Sequence, residues 1–298
     1  MGRALAEAWP EARAVFDEVD AALGEALSRT VWDGPAEALT LTENAQPALM
    51  ATSLAACRAL EAEGVRLAEA ADYVAGHSLG EYSALCAAGA LSVGDAARLL
   101  RLRGRAMQEA APVGAGAMAA ILGLEIDAVR EIASQAAQGE ACEAANDNAP
   151  GQVVVSGRKA AVERAAELAK GRGAKRAVML PVSAPFHCAM MAPAAEAMRA
   201  ALAETEIRKP VVPLVANVRA EAVEDPDAIR ALLVEQVTAA VRWRESVVWM
   251  AERGVTELVE LGAGKVLAGL AKRIDRRVSA RAVGEPEDVR ALAAELRG

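Results

Sequence analysis

Ser78 stands in Gly76-His77-Ser78-Leu79-Gly80, with a short apolar run, Tyr73-Val74-Ala75, before it and helix-forming residues 81–88 after it. Strand, sharp turn and helix are the setting of a nucleophile elbow, where small glycines let the backbone turn tightly and lift a serine hydroxyl clear. The five letters alone are a weak signal, because a glycine-rich turn whose serine caps the next helix reads the same way. A serine at its own pKa is a poor nucleophile and needs a base within hydrogen-bond reach. The chain holds two histidines, His77 and His187. His77 adjoins Ser78, and across a tight elbow its side chain should point elsewhere. His187 ends Ser183-Ala184-Pro185-Phe186-His187, just after an expected strand and a proline that fixes the backbone. By elimination His187 is the expected base; the alternative is a core histidine bonded to backbone. No acid announces itself as third partner. Asp95 and Asp127 read as solvated helix-start residues, Asp147 is available, and a backbone or amide oxygen could orient the imidazole instead.

The helical segment 93–109 carries Arg98, Arg101, Arg103 and Arg105, mostly as a solvated basic face. Arg103 is rotated away from the other three, toward Leu99 and Leu100. A guanidinium directed inward wants a carboxylate, which it grips with two parallel hydrogen bonds. An acyl substrate ending in a free carboxylate would supply one. Gly262-Ala263-Gly264-Lys265-Val266 lacks the Walker spacing and has Val266 where Ser or Thr would hold magnesium, so it reads as a glycine turn opening a helix.

Those groups must be positioned by a chain of 298 residues, 54% hydrophobic but only 3% aromatic, so the core is built from Ala, Val and Leu. Scarce aromatics and a net charge of −8 argue against a nucleic-acid binder. No uncharged apolar run is long enough to span a membrane, and the N-terminal residues lack an apolar signal core, which implies a cytoplasmic protein. Cys57, Cys86, Cys142 and Cys188 are scattered, as expected of free thiols in a reducing compartment rather than of a metal site.

Periodicity predicts helices over 3–27 (restarting at Pro10), 46–63, 93–109 and 189–204, and main-body strands at 73–76, 211–216, 257–261 and 278–283. Strands alternating with helices imply a mainly parallel, doubly covered sheet. Between them the rhythm changes. Strand 117–122, helix 126–138, strands 141–145 and 152–156, helix 160–170 and strand 176–181 give βαββαβ, a ferredoxin-like unit inserted at about 113–182 between 1–112 and 183–298.

GHSLGEYSAL, RGRAMQ, NDNAPGQVVVSG, SAPFH, VANV and ELGAGKVLAGLAKRI occur in that order along essentially the whole chain. Together they resemble the malonyl-CoA:acyl carrier protein transacylases of bacterial fatty acid synthesis. The resemblance implies an α/β-hydrolase-like core with a ferredoxin-like subdomain, a monomer, no cofactor, and malonyl-CoA and acyl carrier protein as substrates. It implies Ser78 as acyl acceptor, His187 as base, Arg103 as partner of the malonyl carboxylate, and the Gln236 carbonyl as the group orienting the imidazole. Leu79 would give a backbone N–H to the oxyanion. Gln46, His77, Phe186, Asn217 and Val241 resemble pocket-lining positions, with the Phe186 ring crowding branched acyl groups. Two basic clusters, Lys170, Arg172, Lys175 and Arg176, and Lys265, Lys272, Arg273 and Arg276, could dock an acidic carrier protein or simply be solvated faces. The sequence departs from the family in lacking an initial strand and Gly-Gln-Gly-Ser-Gln loop, as a late start codon or a shortened chain would explain. A core strand missing there would leave neighbouring strand edges uncovered. Ala240 and Ala263 replace family prolines. Two rivals stand beside this reading: a serine thioesterase or hydrolase, and a non-catalytic acyl-binding module.

Overall fold

The computed structural model describes residues 1–297, a mixed α/β structure with nine strands among those residues. In chain order they are β1 (Val74–Ala75), β2 (Gly116–Leu122), β3 (Cys142–Ala149), β4 (Gln152–Arg158), β5 (Arg176–Met179), β6 (Leu214–Ala216), β7 (Glu221–Val223), β8 (Glu257–Leu261) and β9 (Ser279–Val283). The helix expected over 93–109 is Val93–Glu109, capped by Ser92 accepting from the Asp95 N–H. The helix expected at Gln46-Pro47 instead runs Thr42–Ala62. Pro47 there forgoes one backbone bond rather than starting the helix.

The segment from β2 to β5 follows the expected βαββαβ succession, and its four strands pair antiparallel in the order β3-β4-β2-β5. Pro150-Gly151 turns β3 into β4 with Gly151 at φ 67°, a backbone only glycine adopts without cost. Alternation sets the two faces. Ala119, Ile121, Val153 and Val155 bury against the helices Ile126–Ala137 and Lys159–Gly171. Met118 and Val154 point the other way, with Ala145, onto Phe186 beside the histidine.

The remaining strands do not form the single sheet expected. β1 pairs parallel with β6 and β6 antiparallel with β7, while β8 and β9 form a separate parallel pair. β1 is therefore paired along one edge only, as is β8. Between them runs an apolar cleft of about 600 Å³ lined by residues such as Leu54, Val74, Leu258 and Leu261. Around these strands a helical core of Ala, Leu, Val and Met packs closely, including Ala48, Ala51, Leu54, Ala96, Leu100 and Met198. Among the described residues no helix is long and apolar enough to cross a membrane.

Candidate active site

β1 delivers the chain into the elbow, and the helix Gly80–Ala87 carries it away. A Cβ on Gly76 would lie 2.0 Å from the carbonyl carbon and oxygen of Gly80, so the turn closes only over glycine. Ser78 itself sits at φ 53°. A side-chain-bearing residue is held in that left-handed conformation only when its surroundings fix it. Here Asn217, just past β6, does so: its Oδ1 accepts the Ser78 N–H at 2.8 Å and its Nδ2 donates to the Gly76 carbonyl at 2.7 Å. Gln236 Nε2 adds a bond to the Ser78 carbonyl at 2.9 Å. The Leu79 N–H, at the mouth of the helix, meets no acceptor among the described residues.

His187 Nε2 lies 2.8 Å from Ser78 Oγ, and its Nδ1–H donates to the Gln236 main-chain carbonyl at 2.9 Å. That carbonyl fixes the tautomer that leaves Nε2 free to accept a proton. His187 is also left-handed, at φ 57°, and 4% exposed. Burial first, and the neighbouring Arg103 cation second, push its pKa down to about 3, so the resting imidazole is neutral. None of the three aspartates serves it. Asp95 belongs to a helix cap, Asp127 bonds Arg130, and Asp147 is clamped by Arg244 Nη2 at 2.8 Å.

Arg103 is 1% exposed and reaches the same hydroxyl, Nη2 to Ser78 Oγ at 3.0 Å. Its other acceptors are amides: Gln46 Oε1 at 2.7 Å from Nη1 and Gln236 Oε1 at 2.8 Å from Nη2. The helices Thr42–Ala62 and Val93–Glu109 can bring Gln46 and Arg103 together because Gly104 has no side chain. A Cβ there would stand 2.4 Å from Glu43 Cα. A buried cation with only neutral partners is suited to an anionic ligand. Arg101 departs from the expected solvated face: it is buried and ion-paired to Glu25, with Nη1 donating to Asn44 Oδ1 at 2.7 Å. The helical wheel gives the direction of a side chain but not what covers it.

The structure thus gathers Ser78, His187, Arg103, Gln46, Asn217 and Gln236 at one point, with Leu79 beside them. His77 points away, as expected, its Nε2 2.8 Å from Asn148 Oδ1. Phe186 packs under the β2–β5 sheet. Val241 is buried with Ala149, Val215 and Trp243, and its backbone exchanges hydrogen bonds with β3 rather than with the elbow. Sequence reasoning missed Glu81, a 1% exposed carboxylate that accepts the Asn217 N–H and Gln236 Nε2. Its only signal was an acid immediately after the elbow. No cluster of three His, Cys, Asp or Glu side chains able to hold a metal occurs among the described residues.

An elbow serine, a carbonyl-oriented histidine and a buried arginine meet at one hydroxyl, an arrangement chemically suited to acyl transfer. Residues 1–284 match the acyl transferase domain family, and the chain belongs to it. It is 46% identical to the malonyl CoA-acyl carrier protein transacylase of Bacillus subtilis over 97% of this chain and 90% of that one. A structure of an acyl-carrier-protein-S-malonyltransferase from Bartonella henselae superposes with TM-score 0.97 at 53% identity, covering 100% of this chain and 95% of that one. A malonyl-transacylase in complex with a type II PKS acyl-carrier protein superposes with TM-score 0.95 at 43% identity, over 99% and 94% of the two chains.

Proposed function

We propose that this chain transfers the malonyl group from malonyl-CoA to the phosphopantetheine thiol of acyl carrier protein, through an ester on Ser78, for fatty acid synthesis. The observation that carries the reading is one hydroxyl shared by a neutral base and a buried cation: Ser78 Oγ lies 2.8 Å from His187 Nε2 and 3.0 Å from Arg103 Nη2.

The malonyl carboxylate takes the Arg103 fork. That anion cancels the positive charge that depresses His187 and so raises the basicity of the imidazole as substrate arrives. Ser78 Oγ attacks the thioester carbonyl while its proton passes to His187 Nε2, and the Leu79 N–H, at a helix N-terminus, faces the developing oxyanion. The tetrahedral intermediate collapses, the C–S bond breaks, and His187 returns the proton to the coenzyme A thiolate. The carrier thiol then repeats the sequence on the serine ester, giving its proton to His187 and regenerating the Ser78 hydroxyl. Nucleophile, base and cation all come from the chain, so no cofactor enters these steps.

We read the architecture as an α/β-hydrolase-like body, 1–112 and 183–298, carrying a ferredoxin-like unit, 113–182, and the protein as a monomer. The strand order β3-β4-β2-β5 and the self-contained core of that unit support its description. For carrier docking, the cluster around Lys265, Lys272, Arg273 and Arg276 is the better candidate of the two. In the other, Lys170 is already paired with Glu167 and Arg172 with Glu131.

The test is mass spectrometry of the Ser78 peptide after incubation with malonyl-CoA. A malonyl ester that persists until carrier thiol is added is expected. No ester at Ser78 would sink the reading, and rapid free malonate without acceptor would favour a thioesterase.

A further inference from the structure

The steps above leave one buried carboxylate unused. Glu81 lies on the first turn of the helix Gly80–Ala87, where an acid is ordinarily solvated, yet it is 1% exposed. Its Oε1 accepts the Asn217 main-chain N–H at 2.6 Å, and its Oε2 accepts Gln236 Nε2. Burial pushes its carboxyl up to about 7, while those two bonds and the Arg103 charge pull the other way. Above that pH the carboxylate is ionised and can only accept hydrogen bonds. Gln236 Nε2 donates to that carboxylate and to the Ser78 carbonyl at 2.9 Å, which leaves its oxygen facing Arg103 Nη2 at 2.8 Å.

We propose that Glu81 is a positioning residue: by fixing which end of the Gln236 amide faces Arg103, it holds the guanidinium ready for the substrate carboxylate. This rests on the reading of Arg103 as the carboxylate site. Glu81 touches no reacting atom: it reaches Arg103 through Gln236, and its other oxygen accepts the Asn217 main-chain N–H.

Glu81→Gln nearly preserves shape but changes the pattern of donors. The new amide oxygen satisfies the Asn217 N–H, so its NH2 group confronts Gln236. Gln236 then either meets that NH2 with its own, or turns its NH2 away from the Ser78 carbonyl and toward Arg103; both set donor against donor and disturb the amide that faces Arg103. The Ser78–His187 pair keeps the Gln236 main-chain carbonyl and the Asn217 side chain and loses at most the Gln236 Nε2 bond to the Ser78 carbonyl.

The experiment measures covalent labelling of Ser78 by phenylmethanesulfonyl fluoride, at a pH well above the Glu81 value, with and without malonate or acetamide. In that reaction Oγ bonds to sulfur, fluoride leaves and His187 takes the proton. Malonate should protect the wild-type protein. Without malonate, Glu81→Gln should label within about threefold of the wild-type rate, yet half-protection should need roughly tenfold more malonate, as a misplaced binding group predicts. Acetamide, which has no carboxylate, should make no difference to either protein. Glu81→Asp, one methylene short of spanning Asn217 and Gln236, should diverge the same way and decides the matter if Glu81→Gln does not fold. Unchanged malonate protection overturns the proposal, as does a labelling rate that falls in step with protection, or a wild-type protein that malonate does not protect. Absence of a malonyl–Ser78 ester from malonyl-CoA would refute the transfer reading separately and leave this comparison standing.

Discussion

Replacing Arg103 with alanine tests where the acyl selectivity resides. The guanidinium donates to Gln46 Oε1 at 2.7 Å, Gln236 Oε1 at 2.8 Å and Ser78 Oγ at 3.0 Å, all neutral acceptors. A carboxylate exchanging with two of them gains charge on the acceptor side. A hydrogen bond to a charged group contributes about 1.5–3 kcal/mol where a neutral one contributes about 1. Two such exchanges give a net gain of about 3 kcal/mol, or roughly 10²-fold in kcat/KM for malonyl thioesters. Acetyl thioesters lack the carboxylate and should change by no more than about threefold. The assay is competition: equimolar malonyl-CoA and acetyl-CoA, quenched early, with the two Ser78 esters counted in one mass spectrum. Because the readout is a ratio, an unfolded fraction lowers both signals and leaves it unchanged. A malonyl-to-acetyl ratio within threefold of wild type would falsify the assignment of the carboxylate to Arg103.

Three further outcomes are expected. His187 binds protons less readily in the fold, at about pKa 3, than in the unfolded chain, at the ordinary 6.5, so its contribution is full above pH 6.5 and is lost as pH falls toward 3. Urea unfolding between pH 8 and 4 should show wild type losing about 2 kcal/mol or more beyond the loss seen in His187→Ala, and equal losses would refute this. In Gly104→Ala the new methyl meets backbone, 2.4 Å from Glu43 Cα and 2.7 Å from the Thr42 carbonyl. The two helices must separate at a cost of about 1–3 kcal/mol, seen as a lowered thermal midpoint, with malonyl transfer falling more than sulfonyl fluoride labelling. Asp147→Ala strands Arg244, which now makes bonds of 2.9 and 2.8 Å to that carboxylate. Because Arg244 stays a quarter exposed, the loss should be about 2 kcal/mol, below the range for fully buried pairs, and the malonyl-to-acetyl ratio should not move.

The regular parts of this fold were legible because periodicity and punctuation agree there. Ser92 caps a strongly amphipathic run that is helical from Val93 to Glu109, and Pro150-Gly151 marks the turn into the β-branched β4, whereas β3 runs on to Ala149, past the strand expected at 141–145. The elbow was legible too, since Gly76 cannot carry a Cβ and the letters announce it. Separation of the main-body strands into two sheets was not, because single strands reveal their own faces and never their neighbours. Glu81 was missed for a related reason. An acid on a first helical turn favours the dipole whether it faces water or protein.

The arginines make the limit sharpest. Arg101 and Arg103 are two positions apart on one helix, and both turn out to be buried. Helical geometry singled out the second for its inward direction, but inwardness alone fits both. What separates them is the company each keeps. Arg101 is ion-paired to Glu25, with Glu43 at 3.8 Å, so its charge is already answered and a substrate carboxylate would have to displace a resident one. Arg103 makes no ion pair with a carboxylate among the described residues and meets Glu81 only through the Gln236 amide. A buried guanidinium whose nearest anion is one amide removed retains most of its attraction for an incoming carboxylate. On the proposed reading, selectivity belongs to the arginine that the fold leaves without a direct counter-charge, a property written in residues 25, 43, 81 and 236 rather than in the helix itself.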